Sequence, residues 1–562
     1  GGVFNANAFV PAYLVGTEGA WLNEAPPVIA DLNGDGQPEI IVYVTATNPR
    51  AFAIYENINA QAPVISLNTI TPLSGPIGSS VTITGSNFSI VPAENSVMFG
   101  AVRGTVTAAS ETSLTVTVPA GASMAKISVT RDRLTSTYHL PFTPTFSGGV
   151  SFDNTHFAPP VSFPVSSVQY DPEVADLNND GKPDIMVNGS GNGLTFRNTH
   201  TSGSLSATSL TAGTTANSAS PPRLMDLDGD GKLDLVGGSN VFRNISSGDP
   251  IDYSTSVYIS PGGFFFNDFA DFNRDGRIDF IGVNGSVVSL IENRTTVGTF
   301  LGLTRASSFS NSIQFSKPAV GGSLVAADFD SDGETDIAAT NPGTDNVSVW
   351  KNNGAYRITT TQFTTLPVIT VGDNPSRIYT GDFDRDGKID LLIIHSTGTT
   401  STQITILQNQ STPGNISFSA PLNLINPSAL TVAHVADLDG DGKPEIITTS
   451  ESGNRFSIFK NIHTSGALTA TSFAAPFNTT VTGPRGITTG DLNVDGKPEI
   501  ILTRAAGLLE VYQNLIPTTS ITISTQPITP NNTCVGSSAL FTTEATGTTN
   551  ITYQWQKFNS GT

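Results

Sequence analysis

The chain has 562 residues, of which 13% are charged and 38% are hydrophobic, with 54 glycines and 35 prolines. This composition predicts an all-β protein of several domains, because short strands joined by turns need many glycines and prolines and helix-building runs are missing. A net charge of −20 argues against nucleic acid as a partner. No apolar stretch reaches the roughly 18 residues that a membrane span needs, and the single cysteine, Cys534, allows no intrachain disulfide.

The first predicted element, residues 1–62, contains a nine-residue acidic pattern that begins at Asp31 and reads Asp-x-[Asp/Asn]-x-Asp-Gly-x-x-[Asp/Glu]. A β-favouring run at 40–44 follows the pattern, and an apolar-x-Asn signature ends at Asn57. We interpret the unit as strand, acidic loop, strand, turn, strand, turn and strand, which is typical of one propeller blade. Residues 3–16 are expected to close the ring by adding a strand to the last blade.

The second element, residues 63–145, lacks the acidic pattern and interrupts its repeat. Short runs alternate polar and apolar residues between glycine turns, as at 81–84 and 114–118. Such alternation predicts a small inserted β-sandwich. The segment resembles an IPT/TIG domain, an immunoglobulin-like fold. The resemblance implies either DNA binding or a cell-surface role, and its few basic residues favour a spacer or contact module.

The third element, residues 146–517, carries seven further copies of the acidic pattern at intervals of 45–57 residues. An interval of this length holds about four strands, so each copy predicts one blade. Eight copies predict an eight-bladed β-propeller, with seven blades as the alternative if one copy lies outside the ring. The copies begin at Asp31, Asp176, Asp226, Asp271, Asp328, Asp382, Asp437 and Asp491, and the signature asparagines are Asn57, Asn198, Asn244, Asn352, Asn409, Asn461 and Asn514.

These acidic loops and signatures resemble the FG-GAP/VCBS repeat family, the calcium-binding blades of integrin α-chains and of many bacterial surface proteins. The resemblance covers roughly 1–62 and 146–517. Literal Phe-Gly and Gly-Ala-Pro signatures are largely absent, so the VCBS-like branch fits better than the integrin branch. The family implies a calcium-bearing propeller, and integrin propellers have seven blades.

The loops also have the composition of calcium sites without reference to a family. Ca²⁺ takes about six to eight oxygen ligands, which positions 1, 3, 5 and 9 and the carbonyl of position 7 can supply within one loop. Positions 1, 3, 5 and 9 of the loops hold 28 of the chain's 47 acids, which would repel one another without a cation. We therefore predict about eight Ca²⁺ ions, one per loop, that rigidify the blades. The predicted ligands are Asp31, Asn33, Asp35, Gln37, Glu39, Asp176, Asn178, Asp180, Lys182, Asp184, Asp226, Asp228, Asp230, Lys232, Asp234, Asp271, Asn273, Asp275, Arg277, Asp279, Asp328, Asp330, Asp332, Glu334, Asp336, Asp382, Asp384, Asp386, Lys388, Asp390, Asp437, Asp439, Asp441, Lys443, Glu445, Asp491, Asn493, Asp495, Lys497 and Glu499.

The last element, residues 518–562, changes character again. Cys534 is followed 21 residues later by Trp555, which resembles strands B and C of an immunoglobulin-like domain. We expect an incomplete Ig-like module here, with further modules after it in the full protein.

No catalytic constellation is evident in the sequence. The six histidines are scattered over different modules, none at zinc-ligand spacing, and nearly all paired carboxylates belong to the acidic loops. We therefore expect a non-enzymatic, calcium-stabilised scaffold, extracellular or on the surface of a bacterial cell, that binds or adheres to a protein or glycan. The alternatives are a propeller lectin and a polysaccharide lyase or hydrolase.

Overall fold

The computed structural model describes residues 9–16, 28–30, 39–44, 51–57, 64–165, 171–188, 193–214, 222–254, 256–259, 265–294, 309, 312–354, 358–395, 402–518, 522–525 and 544–546. These residues are all-β, with four single-turn 3₁₀ helices at Pro92–Glu94, Pro342–Thr344, Thr360–Gln362 and Ala470–Ser472. They contain no helix of the length and apolarity that would cross a membrane.

The chain begins with a four-stranded sheet and a second, larger β unit. The sheet has the strand order β1-β4-β3-β2 and contains β1 (Phe9–Gly16), β2 (Val28–Ala30), β3 (Glu39–Val44) and β4 (Ala51–Asn57). The second unit, which we call the docked domain, contains β5 (Ser66–Thr71), β6 (Ser74–Gly75), β7 (Ser80–Ser86), β8 (Ser96–Phe99), β9 (Val102–Ser110), β10 (Ser113–Thr117), β11 (Ala125–Arg131) and β12 (Leu134–Pro144). Its eight strands enclose one apolar core that includes Val81, Val116 and Phe142.

Seven antiparallel sheets follow and form the blades of a propeller, each with an acidic loop between its first and second strands. Blade 1 has β14 (Glu173–Ala175), β15 (Asp184–Asn188), β16 (Gly193–Asn198) and β17 (Leu210–Thr214); blade 2 has β18 (Pro222–Met225), β19 (Asp234–Gly237), β20 (Asn240–Phe242) and β21 (Val257–Tyr258). Blade 3 has β22 (Phe265–Ala270), β23 (Asp279–Asn284), β24 (Val287–Ile291) and β25 (Ile313–Ser316); blade 4 has β26 (Leu324–Ala327), β27 (Asp336–Asn341), β28 (Asn346–Asn352), β29 (Phe363–Thr365) and β30 (Ile369–Thr370). Blade 5 has β31 (Pro375–Gly381), β32 (Asp390–His395), β33 (Gln403–Leu407) and β34 (Leu422–Ile425); blade 6 has β35 (Val432–Ala436), β36 (Glu445–Ser450), β37 (Arg455–Phe459) and β38 (Phe477–Thr480). Blade 7 has β39 (Pro484–Gly490), β40 (Glu499–Arg504) and β41 (Leu508–Tyr512), completed by β13 (Val161–Pro164).

The second strand of each blade is almost entirely buried, because adjacent blades pack against both faces of the sheet. In β32, for example, residues Leu391–Ile394 are fully buried, so this strand is a continuous apolar run rather than an alternating one. The first strands line the axis, since β14 contacts both β18 and β39, and β26 contacts both β22 and β31. Each acidic loop joins a first strand to a second strand, so all seven loops lie at the same end of the propeller, which we call the loop face.

The structure confirms the seven-bladed alternative and corrects the eight-bladed prediction. Strand β1 pairs with β4, with Phe9 opposite Asn57, so it does not complete the last blade as expected for residues 3–16. Strand β13 does so instead, with Val161 opposite Val511. Strands β1–β4, which include the described residues on either side of the copy that begins at Asp31, therefore form a sheet separate from the seven blades.

The docked domain lies on the loop face. Its Thr135 N–H donates to the Gly276 carbonyl of blade 3 (2.7 Å), and its Ala101 carbonyl accepts from the Asp176 N–H of blade 1 (2.8 Å). Its Gly121 N–H donates to Asp491 Oδ2 of blade 7 (3.2 Å). The domain therefore bridges loops of different blades instead of hanging from the ring by one linker.

The C-terminal prediction falls mostly outside the described residues. Strands β42 (Thr522–Thr525) and β43 (Glu544–Thr546) pair with each other, and Cys534 and Trp555 both lie outside the described residues.

Candidate metal-binding loops

The seven acidic loops of the ring share one backbone conformation. In each, the N–H of the position-6 glycine donates to an oxygen of the position-1 aspartate at 2.7–3.1 Å. That glycine has φ between 80° and 88°, a left-handed value that side chains disfavour, so the pattern requires glycine here. Position 4 is also left-handed in every loop, with φ of 57–76°, although five of the seven residues are not glycine. The sequence reasoning did not find this second constraint.

The acid at position 9 ties the loop to the rest of its blade. In blades 1–6 both of its oxygens accept backbone hydrogen bonds, one from the position-2 N–H and the other from the N–H of the signature asparagine at the end of the third strand. In blade 7, Glu499 accepts from the Leu492 N–H at 2.7 Å. In blade 4, Asp336 accepts from Phe329 N–H at 3.0 Å and from Asn352 N–H at 2.8 Å. Asp336 is fully buried. The prediction treated position 9 only as a metal ligand, whereas the structure also makes it a structural anchor.

The signature asparagine links neighbouring blades. Its side-chain amide donates to the position-2 carbonyl of the preceding blade's loop in all seven blades, at 2.7–3.3 Å. The bond from Asn198 to the Leu492 carbonyl joins blade 1 to blade 7 and closes the ring. Sequence reasoning missed the blade 3 member, Asn293, although Ile291-Glu292-Asn293 fits the same signature.

Carboxylates converge in the four ring loops that have aspartate at position 3. In each loop three acids offer oxygens that all lie within 4.8 Å of one another, a spacing at which they could hold a metal ion. These groups are Asp226, Asp228 and Asp230; Asp328, Asp330 and Asp332; Asp382, Asp384 and Asp390; and Asp437, Asp439 and Glu445. The other three ring loops have asparagine at position 3, whose amide oxygen is also an accepted calcium ligand.

The predicted ligands of the first copy lie almost entirely outside the described residues. Asp31, Asn33, Asp35 and Gln37 lie outside the described residues, and only the backbone of Glu39 is described, at the start of β3.

At position 7 of the ring loops, the backbone N–H donates to the position-5 carboxylate at 2.9–3.0 Å.

Burial makes these carboxylates difficult to ionise. It raises the pKa of Asp226 and Asp382 to about 7, and that of Asp336 and Asp390 to about 8. Neighbouring carboxylates raise these pKa values further, while backbone N–H donors oppose the shift. A cation placed among the acids would remove this penalty by favouring their charged form.

Basic side chains of the protein pair with some of these acids, but other buried carboxylate oxygens keep no hydrogen-bond partner. Lys351, the middle residue of its signature, lies 2.5 Å from both Asp330 Oδ2 and Asp332 Oδ2. The other oxygen, Asp330 Oδ1, is buried without a hydrogen-bond partner, and Asp330 is only 2% exposed. A buried acceptor without a partner costs free energy, so this atom fits a cation bound among the three aspartates.

The axis of the ring contains a separate polar cavity of about 620 Å³. Its lining includes Asp171, Arg223, Asp268, Arg377 and Tyr379. Several of these residues lie near the starts of first strands. Since the acidic loops follow the ends of the same strands, the cavity lies toward the face opposite the loop face.

Two family comparisons agree with the structure. The FG-GAP-like repeat matches residues 176–237, 271–339, 328–393 and 437–502, and the IPT/TIG domain matches residues 65–145. A search of curated proteins gives no match.

Solved structures with a similar arrangement include two auxiliary nutrient binding proteins. The one from Bacteroides ovatus is 12% identical with a TM-score of 0.32, and the match covers 81% of this chain and 99% of that one. The one from Bacteroides thetaiotaomicron is 11% identical with a TM-score of 0.28, covering 81% and 99%.

Proposed function

We propose that this chain, which carries FG-GAP-like repeats in a seven-bladed propeller and an IPT/TIG domain, is a calcium-stabilised, non-catalytic scaffold that binds a protein or glycan outside the cell. The observation that carries the proposal is the repeated loop geometry. Seven loops hold their acids in the same way, four of them bring three carboxylates within 4.8 Å, and Asp330 Oδ1 is buried without a partner. Hard oxygen ligands at this density suit Ca²⁺.

The ion would be structural in this proposal. The loops would hold it through the position-1, position-3, position-5 and position-9 side chains, where it supplies the positive charge that the acids need. Because the position-9 acid also anchors the third strand, and the signature asparagine bonds the preceding loop, each loaded loop would stabilise its own blade and its neighbour.

The test is bound-metal analysis with thermal unfolding, on protein prepared with calcium and again after exhaustive chelation. We expect close to one calcium ion per acidic loop and a large fall in melting temperature after chelation, because a ligand that binds only the folded state stabilises it by mass action. Few bound ions and an unchanged melting temperature would mean that the loops are polar turns.

A lectin is the second candidate, and the axial cavity favours it. Its volume of about 620 Å³ suits a small ligand, and charged and aromatic groups from several blades converge on it. Arg223 Nη1 lies 2.5 Å from Glu173 Oε1, and Arg377 Nη1 lies 3.3 Å from Asp171 Oδ2. Paired groups of both signs can donate to and accept from hydroxyls without binding a net charge, which suits a neutral sugar.

This candidate is tested by glycan-panel binding with the wild-type protein and Arg377→Met. The control is Arg485→Met, which removes a partly exposed partner of Glu451 that is not among the residues lining the cavity. We expect a sugar that binds the wild type and the control but not Arg377→Met. Equal binding by all three proteins, or by none, would remove the cavity as a sugar site.

A further inference from the structure

The docked domain contacts the backbone of the metal-binding loops themselves. Beyond the three hydrogen bonds described above, Arg103 Nη2 donates to the Gly231 carbonyl in blade 2 at 2.7 Å. Just after the domain, Phe146 N–H donates to the Gly440 carbonyl in blade 6 at 3.3 Å. Five of the seven loops are therefore hydrogen-bonded to the domain or to the segment that leaves it.

Some of these bonds involve predicted calcium ligands directly. Asp491 Oδ2 accepts from Gly121 N–H of the domain, and the same oxygen accepts from Gly496 N–H of its own loop. Asp491 is 1% exposed, so the domain contributes to holding a ligand carboxylate that solvent barely reaches. The conformation of this aspartate therefore depends on the loop and on the docked domain together.

A second and independent feature is the distribution of glycine at position 4. Only Gly229 and Gly440 are glycine there among the ring loops. A Cβ on Gly229 would lie 2.2–2.4 Å from backbone atoms of Arg133, and a Cβ on Gly440 would lie about 2.5 Å from ring atoms of Phe146. At both positions another segment leaves no room for a Cβ, so glycine is needed there for the contact as well as for the conformation. At the equivalent position of blade 4, Ser331 is exposed.

We propose that the loop face is a metal-dependent docking site for the IPT/TIG domain, so that calcium in the loops and the docked domain stabilise each other. This inference rests on the proposed function. Without an ion, the crowded carboxylates repel one another and the loop backbone relaxes, which displaces the carbonyls of Gly231, Gly276 and Gly440 that the domain needs. Coupling of this kind is reciprocal, so weakening the docking also weakens calcium binding.

The first experiment is hydrogen exchange, read by mass spectrometry, on calcium-loaded and chelated protein whose bound metal is measured in parallel. We expect chelation to speed exchange about tenfold or more at residues 119–122 and 132–136, which contain Gly121 and Thr135. The core strands at 81–84 and 114–117 provide the internal control, because they should remain protected if the domain undocks without unfolding.

The second experiment separates docking from metal ligation. Gly229→Asn adds a side chain against Arg133 but keeps a residue that tolerates the left-handed conformation, as Asn179 does at the equivalent position of blade 1. Ser331→Asn is the matched control, since it places the same side chain at position 4 of the blade 4 loop, where the residue is exposed. We expect Gly229→Asn, but not Ser331→Asn, to speed exchange at 132–136 in the presence of calcium and to weaken calcium binding.

Three results would overturn the inference, and they are distinguishable. If calcium binds but its removal leaves exchange at 119–122 and 132–136 unchanged, docking is independent of the metal and only this inference is wrong. If no calcium binds at all, the proposed function is wrong and the inference falls with it. Equal exchange and equal calcium affinity in the two variants would also contradict it.

Discussion

Carboxylates around the axial cavity and carboxylates in the acidic loops are withdrawn from water in different ways. In the cavity, the chain supplies a guanidinium for each of two acids, since Glu173 lies beside Arg223 and Asp171 beside Arg377. In the loops the acids lie beside one another. The acids at position 9, such as Asp336, are fully buried and accept only backbone N–H groups.

The most deeply buried acids are therefore the ones that the chain leaves without a full countercharge. Glu173 and Arg223 keep 30% and 32% of their side-chain area exposed, so even the neutralised pair is less buried than Asp336. The difference indicates that the acidic loops need a cation from solution, whereas the cavity does not. Stability of the cavity should be independent of calcium, whereas stability of the loops should be conditional on it.

The largest expected effect is on the pH dependence of metal-free protein. Burial raises the pKa of Asp336 and Asp390 to about 8 and that of Asp226 to about 7, from an ordinary value near 4. Groups with raised folded-state pKa values stabilise the fold below the unfolded pKa, and that stability is lost as pH rises through the folded pKa. Metal-free protein should therefore lose stability between about pH 4 and about pH 8.

Calcium should remove this loss, because the ion favours the ionised carboxylates. The measurement is the urea midpoint of metal-free and calcium-loaded protein across that pH range. Metal-free protein that holds its midpoint as pH rises would contradict the comparison, since the loop acids would then be ionised without a cation at little cost.

Sequence reasoning predicted the blade units because each acidic loop is specified locally. The left-handed glycine at position 6, such as Gly181, and the acids around it are encoded within nine residues, so their repetition is readable without the fold. The apolar-x-Asn signature was readable for the same reason. Its function was not, because the amide of Asn198 bonds the carbonyl of Leu492, in the last blade of the ring.

The number of blades could not be decided in this way. Nothing in the local sequence of β1 or of β13 specifies which strand edge it will pair with. The pairing of Val161 with Val511 joins residues at the two ends of the ring. Docking is equally non-local, since Gly121 and Asp491 are 370 positions apart. Gly229 could be read from the sequence. The reason for a glycine there, its close contact with the backbone of Arg133, can be seen only in the folded structure.

A smaller effect is expected from removing a cavity guanidinium. Arg223→Met leaves Glu173 without its ion-pair partner, and should lower the free energy of unfolding by about 1–3 kcal/mol. Because the cavity does not depend on calcium, the loss should be the same with and without calcium. Urea denaturation under both conditions measures it. A loss that appears only in chelated protein would mean that the cavity and the loops do not stabilise the ring independently.

The smallest expected effect comes from two single substitutions at position 3, one that removes a carboxylate and one that adds a carboxylate. The two are expected to change the stability of chelated protein in opposite directions. Asp384→Asn removes a carboxylate from the converging group of blade 5, and should weaken calcium there by about tenfold because ligand charge sets affinity. In chelated protein the same change should raise stability by a few tenths of a kcal/mol or more, since one repulsion is gone.

The reverse change is Asn178→Asp in blade 1. The Asn178 amide donates to Asp180 Oδ2 at 3.3 Å and to Asp249 Oδ1 at 3.0 Å, so a carboxylate there would face two others. We expect lower stability than wild type after chelation and a larger gain on adding calcium, both read from melting temperatures. If both variants shift stability in the same direction in chelated protein, charge crowding is not what makes the loops depend on a cation.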